Sequence, residues 1–234
     1  MLQVSLSEIE TSICKAVSAT SLPVSFGEDA GRAARCMAES GIGSLVAFVE
    51  ALDALNNGQS TGFNTQCAAM GKFIPKLDAR HLSALYAGPS ACDLLVSTHD
   101  VGPEYAAITL ENVDKPLIIL FESLVTSIDR TFGLHLSWKT QHSIQAICWR
   151  GALTIVEGSS QNLCTSGPAK MSILRITKPP TNMEPAWSPQ RTKKLTYVEE
   201  EVWHRLISYT NRLLVDSTEK SRLTGAGAGI TDTD

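Results

Sequence analysis

The chain lacks most of the features that assign a function at sight. Its six cysteines, Cys14, Cys36, Cys67, Cys92, Cys148 and Cys164, include no C-x-x-C pair. That removes the common zinc-ribbon and dithiol readings and leaves reduced thiols as the expectation. No apolar run approaches the roughly 18 residues that a membrane span needs. The opening MLQVSLSEIE has no basic segment leading into an apolar one, so a soluble, cytoplasmic protein with no membrane partner is expected. Charge of one sign is also scarce: 20 Lys and Arg stand against 24 Asp and Glu, and the densest basic cluster is the short RTKK of residues 191–194. A nucleic-acid surface needs a basic face, and none is legible.

Catalytic signatures are missing as well. There is no P-loop, no GxSxG elbow, no HExxH and no GxGxxG following a strand. The usual warrants for NTPases, hydrolases, zinc peptidases and Rossmann dehydrogenases are therefore absent. No metal site is expected, and the residues name neither a cofactor nor a reaction type.

What is present is patterning. With 234 residues the chain is long enough to bury a core without staples. Ser5-Leu6-Ser7-Glu8 has the form of a helix capping box, and Leu6, Ile9, Ile13, Ala16 and Val17 follow at helical spacing. Ser25-Phe26-Gly27-Glu28 repeats the cap before an alanine-rich helix, with Ala30, Ala33, Ala34, Met37 and Ala38 on one face, that should stop at Gly41. A third helix is expected over about 44–56, ending at Asn56-Asn57-Gly58.

Between 59 and 102 apolar clusters are broken by Gly62, Gly71, Pro75, Gly88 and Pro89, which predicts loops and short helices. From 105 to 178 the pattern turns strand-like: YAAITLENV, KPLIILFE, LHLSW, IQAICWRGALTIVEG and MSILRITK all read as strands, with a hairpin near Arg150-Gly151. The stretch ESLVTSIDRTFG is ambiguous, since Leu124, Val125, Ile128 and Phe132 have helical spacing. Residues 179–195 are proline-rich and polar, as in a surface connection. A last helix is expected to begin at a third capping box, Thr196-Tyr197-Val198-Glu199, and to dock through Val198, Val202, Leu206, Tyr209 and Leu213.

Helices, then strands, then a helix predict an α+β fold: an N-terminal three-helix unit, a central mostly antiparallel sheet, and a C-terminal docked helix with a glycine-rich tail. Residues 1–58 would form a helical subdomain and 59–234 the α+β body with its C-terminal helix, together one compact domain.

Candidate site residues are few. His99-Asp100, ahead of a strand, is the best general-base pair, because a carboxylate can orient an imidazole. His135 should lie on the outer face of its strand with Ser137 and Lys139 if Leu134 and Leu136 face the core, and His204 should be at the surface. Glu28, Asp29, Arg32 and Arg35 have helical pair spacing; they read as a solvated face, with an arginine clamp for a carboxylate as the functional alternative. Cys148 in an apolar strand reads as an inert thiol. The tail SRLTGAGAGITDTD reads either as a loose chain end or as an anion site. In the second case the amides of Gly225, Gly227 and Gly229 form a nest, Arg222 adds a charged fork, and Asp232 accepts ligand donors.

The N-terminal SLSEIETSICKAVSATSLPVSFGEDAGRAARCMAESGIGSL and the C-terminal TEKSRLTGAGAGITDTD together resemble the two ends of an uncharacterised bacterial family, a domain of unknown function. The resemblance brings no activity; it implies that the GAGAG tail belongs to the domain. Residues 4–58 also resemble the helical start of the malate and L-lactate dehydrogenases that lack a Rossmann fold. Those enzymes carry an active-site histidine in a Ser-His-Gly motif after the second helix, where this chain has GIGSLV, so the catalytic residue does not carry over.

The leading expectation is a protein that binds or acts on a small anionic metabolite through its Arg and Gly-rich tail. The rival is a non-catalytic interaction subunit or homo-oligomer anchored by Trp203 and Tyr209. A nicotinamide-dependent oxidoreductase is third.

Overall fold

A computed structural model describes residues 1–62, 80–99, 106–164, 167–181, 183–189 and 194–213, together with the backbone of 65–68 and 72–75. After the short strand β1 (Leu2–Ser5), helix α1 (Leu6–Ser18) opens on a true capping box. The Glu8 N–H donates to Ser5 Oγ at 3.1 Å, and the Glu8 carboxylate accepts from the Ser5 N–H at 2.8 Å. Its buried residues are Leu6, Ile9, Ile13, Ala16 and Val17, the predicted stripe. Each such aliphatic side chain contributes roughly 1.5–3 kcal/mol when fully buried.

Helix α2 (Val24–Ser40) stops at Gly41, which adopts φ 70. Its expected capping box at Ser25 does not form. Pro23, with φ −55, launches the helix directly at Val24, so Ser25 already lies inside the first turn. Helices α1 and α2 pack backbone to backbone: a Cβ on Gly31 would stand 2.6 Å from the Glu10 carbonyl oxygen, and one on Gly27 2.6 Å from that of Cys14. Only glycine allows that approach. Helix α3 (Val46–Asn56) follows.

The region read as loops and short helices departs from expectation. Strands β2 (Ser60–Thr61), β3 (Thr65–Ala68), β4 (Lys72–Pro75) and β5 (His81–Leu82) lead into α4 (Ala84–Ser97), a full 14-residue helix with Pro89 inside it. An interior proline costs about 3 kcal/mol. Complete burial of Leu85 and Leu95, with Ala87 and Ala91 between them, offsets that at roughly 1.5–3 kcal/mol per large side chain.

The second departure matters more. After β6 (Ala107–Val113), the run KPLIILFE is not a strand but the start of helix α5 (Pro116–Thr126), with Pro116 in its first turn. Every residue from Pro116 to Leu124 is buried. A helix enclosed on all sides shows no polar face, so its sequence has the look of a buried strand.

The strands β7 (Gly133–Lys139), β8 (Ser143–Trp149) and β9 (Ala152–Glu157) form a meander. Arg150 and Gly151, at φ 49 and 78, make the tight turn that a two-residue hairpin demands. A short helix α6 (Ser160–Leu163) and strand β10 (Ala169–Ile176) complete the main sheet. Its order is β2-β5-β6-β10-β7-β8-β9, with the β3–β4 hairpin attached through β4 alongside β6. The pairs from β6 to β9 are antiparallel, whereas β2–β5, β5–β6 and β4–β6 are parallel.

The third capping box is also replaced. Residues 195–198 form β11 (Leu195–Val198), which pairs antiparallel with β1, and helix α7 (Glu200–Thr210) starts after it. Strand pairing supplies the backbone partners that a cap at Thr196 would have provided. Val198, Val202, Leu206 and Tyr209 are buried as expected, while Leu213 is exposed.

The fold is α+β. Helices α4 and α5 cover the sheet, α2 lies over α5 and α4, α1 packs on α2, and α7 packs on α1 and α3. One continuous apolar cluster runs from Val4 to Tyr209. Helix α5 is the middle of the stack, which is why it is apolar all round.

Candidate functional site

Helix α5 carries a single charged residue, Glu122, in the middle of LIILFESLVT. It is only 3% exposed, and its Oε1 is buried with no hydrogen-bond partner among the described residues. An ionised carboxylate without partners is among the most expensive groups to bury. Burial therefore raises the Glu122 carboxyl well above its ordinary value, and the negative charges of Asp29 and Asp93 push in the same direction against Arg32.

Glu122 does not sit in a sealed core. It lines an open cleft of about 350 Å³ between α2, α4 and α5. Helix α2 contributes Asp29 and Arg32, one turn apart and ion-paired. Helix α4 contributes Cys92 and Asp93. Beyond the end of α5, Asp129 and Arg130 stand at the rim, and Pro89, Val96 and Val125 supply apolar wall. A Cβ on Gly88 would come within 3.0 Å of Glu122 Cγ, so the glycine ahead of Pro89 lets α4 pack closely against the Glu122 side chain.

The electrostatics of the lining are uneven. Partial burial, and then the charge of Asp29, raise the Asp93 carboxyl above its ordinary value. Burial pushes the Cys92 thiol up to about 12, although Thr126 and Ser123 oppose it with hydrogen bonds. Cys92 is thus a neutral thiol and not an activated nucleophile. A carboxyl whose ionisation is opposed by burial and by neighbouring carboxyls, at the wall of a cleft, is a common mark of binding and catalytic sites.

The other sequence candidates among the described residues fall elsewhere. His99 lies in the turn after α4 with its ring against Phe132, centroids 4.9 Å apart, while Asp100, its expected partner, lies outside the described residues. His135 is on the outer face of β7 and His204 is exposed on α7. Arg35 is paired with Glu10 of α1 at 2.8 Å, so of the suggested arginine clamp only Arg32 reaches the cleft. Cys148 is fully buried, its thiol directed at the Leu120 carbonyl at 3.7 Å, and burial holds it far above its ordinary value. Arg222, Gly225, Gly227, Gly229 and Asp232 all lie outside the described residues.

A larger cleft of about 560 Å³ opens at Gly41–Ser44, the start of α3, Lys115 and Cys164. It has the form of an anion site, but its donors are already occupied. Lys115 is ion-paired with Glu50. The first amides of α3 are used within the turn, Val46 N–H on Ser44 Oγ, Ala47 N–H on the Ser44 carbonyl, and Phe48 and Val49 on Leu45.

A second buried carboxyl, Asp114, was also missed in the sequence. It accepts from Ser60 Oγ at 2.7 Å and from the Ala84 N–H at 2.8 Å, so it joins β2, the start of α4 and the start of α5. Among the described residues no group of three or more His, Cys, Asp or Glu is arranged to hold a metal ion, and no helix is long and apolar enough to cross a membrane. The signal that was there to find for Glu122 is one acidic residue inside an otherwise unbroken apolar run. No family model matches the chain, and a comparison with curated proteins gives no match.

Proposed function

We propose that the protein binds a small charged metabolite in the α2–α4–α5 cleft, with the Glu122 carboxyl as the group the ligand meets. One observation carries the reading: a carboxyl buried to 3% exposure, with an orphaned oxygen, faces an open cleft and not a sealed core. Buried polar groups are satisfied almost without exception in folded proteins. A partner supplied from outside satisfies this one. The cleft volume, about 350 Å³, falls at the small end of ligand pockets, which suits a metabolite and not a large cofactor.

The sequence expectation, a small anionic metabolite held by the tail, rests on residues outside those described; the cleft reading keeps a small metabolite but neither its anionic charge nor its place. The tail was favoured for its arginine and glycine amides; the cleft offers Arg32 and Arg130 together with three carboxyls on α2, α4 and α5. Of the two anchors of the interaction-subunit reading, Trp203 is half-buried on α7 and Tyr209 is turned inward. Tyr209 is buried within the chain and donates to Asp53 at 2.5 Å, with Arg205 on the same carboxylate and Arg212 over its ring.

The test is a thermal-shift screen of polar metabolites against the full chain and against Thr126→Trp, which fills the cleft from its rim. A compound should raise the melting temperature of the wild type and leave the filled variant unmoved. Equal shifts in both proteins, or none in either, would remove the cleft as the ligand site.

A further inference from the structure

We infer that the cleft seats the ammonium group of an amine-bearing metabolite between Glu122, Asp93 and Asp29. This rests on the cleft being the ligand site and names the class of ligand.

The argument is one of charge and hydrogen-bond supply. Three separate helices bring carboxyls to one cleft: Asp29 from α2, Asp93 from α4 and Glu122 from α5. Only one guanidinium on these helices stands with them, Arg32, and it is committed to Asp29. An anion placed against Glu122 would meet Asp93 and Asp29 in a partly water-excluded setting, where like charges repel strongly. A neutral ligand would satisfy the orphaned Oε1 but bring no charge to Asp93, which has no ion-pair partner among the described residues. An ammonium answers both: it carries three donors and the missing positive charge.

The charged groups acting on Glu122 are Asp29 and Arg32 from α2 and Asp93 from α4. The Cys92 thiol of α4 is neutral, and Asp129 and Arg130 stand at the rim beyond α5. Beneath α5, the buried sheet residues Leu134, Leu136, Ile144, Ala146 and Cys148 bring no charge. Nothing among the described residues therefore stabilises an ionised Glu122 fully, and a docked ammonium does so directly. The balance is simple. The protonated carboxyl loses H⁺ to solvent, the carboxylate accepts from the R–NH₃⁺ donors, and no bond within the ligand changes. Arg130, exposed at the rim without an ion-pair partner among the described residues, is placed to meet an anionic group on the same molecule, which makes amino-acid-like zwitterions the first compounds to try.

Titration calorimetry of the full chain at neutral pH against the twenty standard amino acids, ethanolamine and 1,4-diaminobutane tests this. At least one amine should bind with a Kd below about 1 mM. Its hydroxyl or N-acetyl analogue, and the variants Glu122→Gln and Asp93→Asn, should each weaken binding by about tenfold or more. The apparent heat should differ between phosphate and Tris buffers, because a proton is released, and the Kd should fall as pH rises from about 5 to 8. Asp93→Asn is at the exposed mouth of the cleft, so it tests the idea even if the Glu122 variant fails to fold. No binding by any amine, equal binding of an amine and its hydroxyl analogue, or unchanged affinity in Asp93→Asn and Glu122→Gln would each overturn the inference. If a neutral or anionic compound binds in a manner that Thr126→Trp abolishes, the cleft stands as a ligand site and only the amine assignment falls.

Discussion

Asp114 and Glu122 are both carboxyls carried into the interior, at 6% and 3% exposure, eight residues apart in the chain, and their surroundings are opposite. Asp114 is met by the Ser60 hydroxyl and the Ala84 amide, and it stands in for the side-chain cap that Ser83 does not provide to α4. Burial raises its carboxyl above the ordinary value, with the hydrogen bonds from Ser60, Ala84 and Lys115 opposing. Glu122 has the burial without a hydrogen bond among the described residues and opens on a cleft. The contrast separates two uses of one functional group. A buried carboxyl with full partners is a joint between elements; a buried carboxyl with none, at the wall of an opening, is waiting for something outside the chain.

The largest effect should come from breaking the joint. Asp114→Ala leaves the Ser60 hydroxyl and the first amide of α4 unpartnered in the interior, which should lower stability by about 3 kcal/mol in urea denaturation. A loss smaller than that of an ordinary surface change would mean that Asp114 is no joint at all.

Glu122 should behave in the reverse sense. Its folded-state value lies above the ordinary 4.5, so below that value both folded and unfolded chains hold the proton and nothing is lost. As pH rises the unfolded chain ionises while the folded one resists, and stability falls. Glu122→Gln removes the titration, so it should match the wild type near pH 4 and exceed it by about 1 kcal/mol near pH 8. Denaturation curves at the two pH values check this; parallel pH profiles for the two proteins would show that Glu122 is not held neutral.

The smallest effect is expected where carboxylates are solvated. Arg35→Ala breaks the exposed pair with Glu10 and should change stability by less than about 0.5 kcal/mol. A larger loss by the same urea measurement would show that the α1–α2 surface belongs with the buried cases.

How much of this was legible depended on periodicity. Leu6, Ile9, Ile13, Ala16 and Val17 were readable because α1 has one wet face and one dry one. The β7–β8–β9 meander was readable because Leu134, Leu136, Ile144, Ala146 and Cys148 alternate with outward residues, and because Arg150-Gly151 is a turn in chemistry as well as in place. Helix α5 was misread because it has no wet face. Helix α4 was overlooked because Gly88 and Pro89 are breakers by propensity, and only the burial on either side of them keeps the helix whole. Thr196 looked like a cap because its partner strand lies almost the whole chain away, at Leu2–Ser5.

The candidate site was less legible than the fold. Asp29 and Arg32 stand out as a charged pair and Glu122 as one acid inside an apolar run, yet Asp93 carries no local mark, and the acidic neighbour of His99, Asp100, lies outside the described residues. Local sequence alone settled the class of the fold, the amphipathic helices and the hairpin, since those follow from contacts within a few residues. The stacking of α2 and α4 on α5 decided which carboxyls share a cleft. Three helices bring residues 29, 93 and 122 together, and the energy of burying Glu122 depends on the distances between them and not on any neighbour along the chain.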